Sequence, residues 1–377
     1  MLERRERIRL GIVGCGGVAE MRHLPALRRV PGVEVVALAD VDADRVERVG
    51  ERFRIARRYT DYTKLIRSGE VDALAVCVPP RLHAEVALAA FEAGKHVFVE
   101  KPLALALSEC ELLSERAAAN STLKVLVGFN LRWHRLVRVA REAIRLGELG
   151  DIKLVRTVFT SGVRLGVDFA DWRRRQETGG GALFELGVHH FDLIRFLLSG
   201  EAEEVSAVSA TDDETATVLI RMSCGAQVVS AFSEGTGENH AVEVYGARGW
   251  LRLSCYRADG LERFGTAQYG GAPGARLREL ARGLMALPRM LRQARSGGDY
   301  VASFTEEWRH FVGAITRDSP TECTLDDGRR ALEIALAAWE SSDTKRAVNI
   351  DGLATETQRH RGFKKLKSEI SNLKSEI

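Results

Sequence analysis

The first third of the chain alternates short apolar runs with amphipathic stretches. IRLGIVG (8–14), VEVVALAD (33–40), DALAVCV (72–78), HVFVE (96–100) and KVLVGF (124–129) are apolar segments of strand length, and helical patterns separate them. Runs that are apolar on both faces and joined by helices predict a doubly wound parallel sheet, with its ligand outside the carboxyl ends of the strands. The helix after the first strand is expected to reach about Val30 and to bend near Pro25. Beyond about Asn130 the period changes. A helix over about 131–147 leads to IKLVRTVFT, and GGGALFELGVHHFDLIRFLL reads as a glycine-rich loop entering a helix. VSAVSA, ATVLIRM, AQVVSAFS, AVEVYG and WLRLSC then alternate apolar and polar residues between Glu203 and Cys255, with turn signals such as Cys224-Gly225 and Arg248-Gly249 between them. That is the pattern of an antiparallel sheet. Helices at about 302–317 and 326–345 close this part of the chain.

The expected architecture is therefore α/β: a parallel sheet over 1–129, an α+β domain with a large, mostly antiparallel sheet over 130–350, and a basic tail over 351–377. At 377 residues the chain is long enough for two cores. Two segments stand apart. Within 257–298, read as an insertion or lid, Leu277, Leu280, Leu284, Leu287 and Leu291 fall at helical spacing among arginines. Such a helix can lie on a membrane, but packing on a partner subunit or over a cleft is the expectation here. In the tail, Leu366, Ile370, Leu373 and Ile377 have heptad spacing over only two heptads, so a frayed or weakly helical end is expected.

Composition narrows the function classes. Apolar content of 45% and charged content of 28% suit a soluble globular protein, and no apolar run is long enough to predict a transmembrane helix. The start, MLERRERIRLGIVG, lacks the apolar segment and cleavage site of a secretory signal, so a cytoplasmic protein is expected. The net charge is +3, yet from Thr355 onward six Lys/Arg against three Glu already give +3, leaving the body near neutral. No basic face for nucleic acid is expected. The six cysteines are scattered, and Cys15 reads as a small side chain in a crowded turn rather than a reactive thiol.

The chemistry begins at Gly14-Cys15-Gly16-Gly17-Val18-Ala19, which fits G-x-G-x-x-G/A between a strand and a helix, the phosphate turn of a Rossmann dinucleotide-binding fold. Gly14 allows the tight turn, Gly16 the approach of a pyrophosphate, and Ala19 close helix–strand packing, with helix N–H groups facing the phosphates. Asp40, at the end of the second strand, is placed to bind ribose hydroxyls and to repel a 2′-phosphate, so NAD is favoured over NADP. Arg45 lies near enough to soften that preference. The competing role for Asp40, a helix N-cap, suits Asp42 better. Glu100-Lys101-Pro102 falls at a strand end, where Lys101 can meet a substrate hydroxyl or developing alkoxide, or simply snorkel to the surface. Glu185, His189 and Asp192 share one face if helical, an arrangement that offers an imidazole base with a carboxylate to orient it. An isolated E-x-x-x-H is also commonly a satisfied polar cluster. No metal is expected, because the H-E-x-x-H order is absent and nothing else converges on these residues.

In order and spacing, GIVGCGGVA, Asp40, VEKPLA, GFNLRWH, GGGALFELGVHHFD and VEVYGARGWLRL resemble the glucose–fructose oxidoreductase / inositol dehydrogenase (Gfo/Idh/MocA) family over about 8–350. The resemblance implies a Rossmann domain, a second domain whose open sheet forms a homodimer or homotetramer, and a substrate cleft between them. It implies Lys101 at the substrate and nicotinamide, His189 as acid/base, and Glu185, Asp192, Asn130 and Arg132 at the substrate. On the cofactor it implies Gly14, Gly16, Gly17, Val18, Ala19, Asp40, Arg45, Val78, Pro79, His83, Glu100, Lys101, Trp172 and Arg173. Glu185 stands where the family usually has aspartate, and Pro80-Arg81 alter a loop that lines the nicotinamide side. The expected activity is NAD-dependent oxidation or reduction of a secondary hydroxyl on a sugar, cyclitol or sugar derivative such as a nucleotide sugar. An NAD-dependent glycoside hydrolase with transient redox and a non-catalytic NAD-binding regulator are the alternatives.

Overall fold

The computed structural model describes residues 7–162, 171–257, 260–266, 273–294 and 298–356. Two sheets organise the chain. The first holds six parallel strands: β1 (Ile8–Val13), β2 (Val33–Ala39), β3 (Arg57–Tyr59), β4 (Ala73–Val76), β5 (His96–Glu100) and β6 (Val125–Gly128), in the order β3-β2-β1-β4-β5-β6. The order reverses between β1 and β4, which is where a doubly wound sheet opens its ligand crevice. Central strands are sealed on both faces. In β1 only Arg9 is exposed, and its guanidinium and amide are anchored on Asp72 at 2.6–3.1 Å.

The helices of this half follow their sequence signals with one exception. After β1 the chain makes a wide π-helical turn at Ala19–His23, then α1 (Leu24–Leu27) with Pro25 in its first turn, so the expected bend is a change of helix type just before the proline. Next come α2 (Ala43–Phe53), capped by Asp42, then α3 (Tyr62–Arg67), α4 (His83–Glu92) and α5 (Leu107–Ala118). β3 and α3 were not legible in the apolar pattern, because three residues of an edge strand, Arg-Arg-Tyr, carry no apolar run.

The second half opens with α6 (Arg135–Arg145) and carries an eight-stranded sheet. Its strands are β7 (Ile152–Thr160), β8 (Ala202–Ser209), β9 (Thr215–Met222), β10 (Gln227–Ser233), β11 (Asn239–Gly246), β12 (Gly249–Ser254), β13 (Leu261–Gly265) and β14 (Val348–Asn349), in the order β13-β12-β11-β7-β10-β9-β8-β14. β9 alternates exposed and buried at every residue, the signature of a sheet covered on one face. All pairs are antiparallel except β7 with β10, because the chain leaves β7 through α7 (Val188–Leu198) and returns beside it only after β8 and β9. The outer face exposes Leu154, Val208 and Leu219.

Three further helices follow: α8 (Pro273–Ala294), α9 (Gly298–Arg317) and α10 (Leu325–Thr344), with α11 (Ile350–Glu356) at the end. α10 packs on β8, α7, α5 and β6, so it joins the two halves. Gly328 on α10 is needed there, since a Cβ would come 2.9 Å from Leu103 and 3.1 Å from Val127. Just before α10, the Thr321 hydroxyl donates to the Val125 carbonyl (2.7 Å) and the Val127 amide donates to the Cys323 carbonyl (3.2 Å), which closes the edge of β6. Among the described side chains of α8, Leu277, Leu280, Leu284 and Leu287 are all exposed. The side chain of Leu291, residues 163–170 and the tail beyond 356 lie outside the described residues.

Candidate active site

The glycine turn is built for a ligand. Gly14 has φ +93°, and a Cβ on it would lie 2.5 Å from the Cys77 carbonyl, so both conformation and space exclude a side chain. A Cβ on Gly16 would meet nothing within 4 Å, and one on Gly17 only the tip of Met21. Ala19 is fully buried against the sheet and Val18 is half-buried. The turn thus presents open space next to the N–H groups of a helix start, which have no intrahelical acceptor. Burial, reinforced by Asp40, pushes the Cys15 thiol up to about 12, which leaves it inert at neutral pH.

Asp40 ends β2 and is almost buried. It accepts from the amides of Cys15 (2.7 Å) and Asp42 (3.0 Å), and Arg45 lies on it at 3.2 Å. Asp42, not Asp40, caps α2 by accepting from the Arg45 amide. The open glycine turn and a carboxylate at the end of the second strand fit the pyrophosphate and ribose of NAD.

The next strand ends supply Val78, Pro79, His83, Glu100 and Lys101. Val78 and Pro79 are half-buried at the crevice. His83 is not open to a ligand: it is buried, with Nδ1 2.7 Å from the Pro102 carbonyl and Nε2 2.8 Å from the Val78 carbonyl. It is a strut between two loops and would act on a cofactor only through them. Glu100 also points inward, to His23 (2.7 Å) and to the Lys101 amide (3.1 Å). Lys101 reaches across to the second half, where its ammonium donates to the Glu185 carbonyl (3.0 Å) and carboxylate (3.3 Å).

Glu185 lies in a π-helical turn, Ala182–Gly187, ahead of α7. Gly180 lets the Asp171–Arg174 turn press against this segment, since a Cβ there would come 2.3 Å from the Arg173 backbone. Arg173 pairs with the second Glu185 oxygen and lies over the Trp172 ring at 5.5 Å. Burial alone would raise the Glu185 pKa, but Lys101 and Arg173 overcome it and hold the carboxylate below its usual range. The two carboxylate oxygens are thus divided between the two cations. One turn on, His189 is half-buried, 6.2 Å from the rings of Phe129 and Phe159, and its Nδ1 is buried without a partner. Burial first, then Lys101 and His240, hold its pKa well below 6.5, so the ring is a neutral imidazole with a free lone pair.

The remaining expected substrate contacts are not open to a substrate. Asp192 is fully buried and accepts both nitrogens of Arg132 (2.8 and 2.5 Å); Arg132 also reaches Asp327 (2.7 Å) and the Glu322 carbonyl (2.9 Å). Asn130 is buried and donates to Ser303 (2.8 Å). Helical spacing placed Asp192 with Glu185, but the wide turn before α7 breaks the 3.6-residue period between them. Among the described residues no group of three or more His, Cys, Asp or Glu is placed to hold a metal. No helix among them is long and apolar enough to cross a membrane.

Comparison with known proteins agrees with this geometry. Residues 8–129 match the GFO_IDH_MocA model, described as an oxidoreductase family with an NAD-binding Rossmann fold, and residues 137–252 match the GFO/IDH/MocA C-terminal domain. The chain is 27% identical to myo-inositol 2-dehydrogenase of Thermotoga maritima over 91% of its own length and 99% of the relative's. It is 32% identical to dTDP-3,4-didehydro-2,6-dideoxy-alpha-D-glucose 3-reductase of Saccharopolyspora spinosa over 65% of its length and 74% of the relative's. In fold it is similar to scyllo-inositol dehydrogenase of Lactobacillus casei, solved with NAD(H) and scyllo-inositol bound, at a TM-score of 0.75 and 20% identity over 92% of this chain and 100% of that one. The two matches take in the glycine turn and Lys101 in the first half and Glu185 and His189 in the second, and the chain belongs to the Gfo/Idh/MocA family of oxidoreductases.

Proposed function

We propose that the protein is an NAD-dependent dehydrogenase that oxidises or reduces a secondary hydroxyl of a sugar, cyclitol or sugar derivative. The observation that carries this reading is the meeting of Lys101, Glu185 and a neutral His189 at the carboxyl ends of the parallel strands. NAD supplies the acceptor for the hydride that leaves the carbinol carbon. The chain's own residues manage the rest. His189, unprotonated near neutral pH, takes the hydroxyl proton. Lys101 stabilises negative charge on the substrate oxygen, and Glu185 with Arg173 holds the Lys101 ammonium in place. Asp40 binds the ribose hydroxyls and disfavours a 2′-phosphate. Val78 and Pro79 line the nicotinamide side, with Trp172 beside it.

The relatives' names include cyclitol, pentose and nucleotide-sugar enzymes, which supports the substrate class without choosing a member. The division at 129/130 and a dimer or tetramer formed through the outer face of the eight-stranded sheet belong to the same reading. The exposed leucines of α8 supply further apolar surface for a second copy. Incubation with NAD and a panel of polyols, sugars and nucleotide sugars, followed by NADH absorbance, should show net NADH with one member. His189→Ala should abolish that turnover while leaving NAD affinity within a few-fold. Sugar cleavage without net NADH, or full activity of His189→Ala, overturns the assignment.

A further inference from the structure

We propose that Trp308, His23 and Glu100 form a positioning chain that fixes the peptide of Lys101, so that helix α9 of the second half sets the direction of the reacting amine in the first. The proposal rests on the reading of Lys101 as a substrate contact.

His23 is completely buried at the end of the π-helical turn that follows the phosphate loop. Three rings stand edge-on to it, Phe98 at 5.2 Å and Phe304 and Trp308 at 5.7 Å. In this apolar cage each imidazole nitrogen meets one polar group. The Trp308 indole nitrogen lies 3.0 Å from Nδ1, and an indole N–H can only donate. Nδ1 must therefore carry the lone pair, which places the ring proton on Nε2, 2.7 Å from Glu100 Oε1. Oε2 of the same carboxylate accepts from the Lys101 amide at 3.1 Å. Two obligate donors, the indole at one end and the Lys101 amide at the other, thus fix the direction of every bond in the chain.

The chain joins positions 285 and 77 residues apart, and Gly128 on β6 leaves room for it, since a Cβ there would lie 3.2 Å from Glu100 Oε1. Glu100 holds Lys101 by its backbone while Glu185 holds it by its ammonium. With both ends tied, the amine sits at one place in the cleft. If the backbone tie is lost, Glu185 alone directs a long flexible side chain.

His23→Phe fills the cage but makes neither bond, whereas His23→Gln offers an N–H to Glu100 and a carbonyl to Trp308. Small misplacements of catalytic groups are expensive, so His23→Phe should lower kcat about tenfold or more, with KM for NAD within about twofold, and His23→Gln should recover most of it. A role in packing alone would lower Tm in His23→Phe without changing kcat of the folded protein, and that result overturns the proposal. Trp308→Phe keeps the ring stacked on Phe98 (4.3 Å) and removes only the donor, so the test stays readable should His23→Phe not fold. A second readout needs no turnover. Nitrogen-15 NMR of histidine-labelled protein should show the His23 proton on Nε2 and none on Nδ1; a proton on Nδ1 overturns the chain whether or not the dehydrogenase reading stands.

Discussion

Glu185 and Asp192 sit seven positions apart on one stretch of chain, each a carboxylate between two cations, yet the first keeps some access to solvent and the second almost none. Glu185 pairs with Lys101 and Arg173, and Arg173 is one-third exposed. Asp192 pairs with Arg132 and Arg195, and all three side chains are 6% exposed or less. Residue type and spacing are alike in the two clusters. Burial separates a site that can meet a ligand from a clamp that joins α7 to the Asn130–Trp133 turn and α10. In the clamp, every charge needs its partner in order to be tolerated in the interior. In the site as proposed, the ion pair holds Lys101 where a substrate is expected to meet it.

The largest effect should come from the clamp. Asp192→Ala leaves Arg132 and Arg195 underpaired in the interior and should cost about 3–5 kcal/mol of stability in denaturant unfolding. The protein that remains folded should turn over at the parental rate; loss of turnover without loss of stability would erase the distinction between the two clusters. Lys101→Met keeps the stem and removes the charge. It should lower kcat by roughly 10²–10³-fold, about 3–4 kcal/mol of barrier, with a small change in Tm. Glu185→Gln keeps the shape and loosens the hold on Lys101, so a fall in kcat of about tenfold is expected with unfolding near parental.

The smallest effect concerns acid. His190 and His240 lie fully buried with both nitrogens unpartnered, stacked 4.9 Å apart, behind His189. Burial lowers all three, His190 to about 3. Their folded values lie below the unfolded value near 6.5, so their stabilisation is complete above that pH and is lost as pH falls through the window beneath it. Each such histidine should cost about 1.4 kcal/mol at pH 5.5 relative to pH 8. His240→Phe should recover that amount at pH 5.5 and nothing at pH 8, measured as the difference in unfolding free energy from the parent.

The apolar runs placed five of the six parallel strands, and alternation placed the central antiparallel ones, because burial on two faces or one leaves those two patterns. β3 and β14 were missed because strands of three and two residues are too short to show a period, and β13, which extends the sheet from within the stretch read as an insertion, because Leu-Glu-Arg-Phe-Gly has no apolar alternation. The phosphate turn was legible because only glycine satisfies the backbone at Gly14, whereas the position of Lys101 at a strand end left a snorkelling side chain equally open until the structure showed its ammonium on Glu185. Asp192 was misplaced because the spacing argument assumes an unbroken α-helix, whereas six residues of wider helix precede α7. Nothing local in the sequence marks His23. Its partners are Trp308, which no local pattern connects to it, and Glu100, which had been read as facing the cofactor.

The strap at Thr321–Cys323 has a consequence for how the protein is made. The edge of β6 is closed by a residue 196 positions further along, so on the ribosome the nascent parallel sheet has an unpaired border until most of the polypeptide has emerged. The end of the stretch matched by the Rossmann-fold model, residue 129, is therefore not a point at which translation could stop safely. A fragment ending at 129 would carry a bare strand edge, and its last strand would stay open to pairing with whatever chain came near.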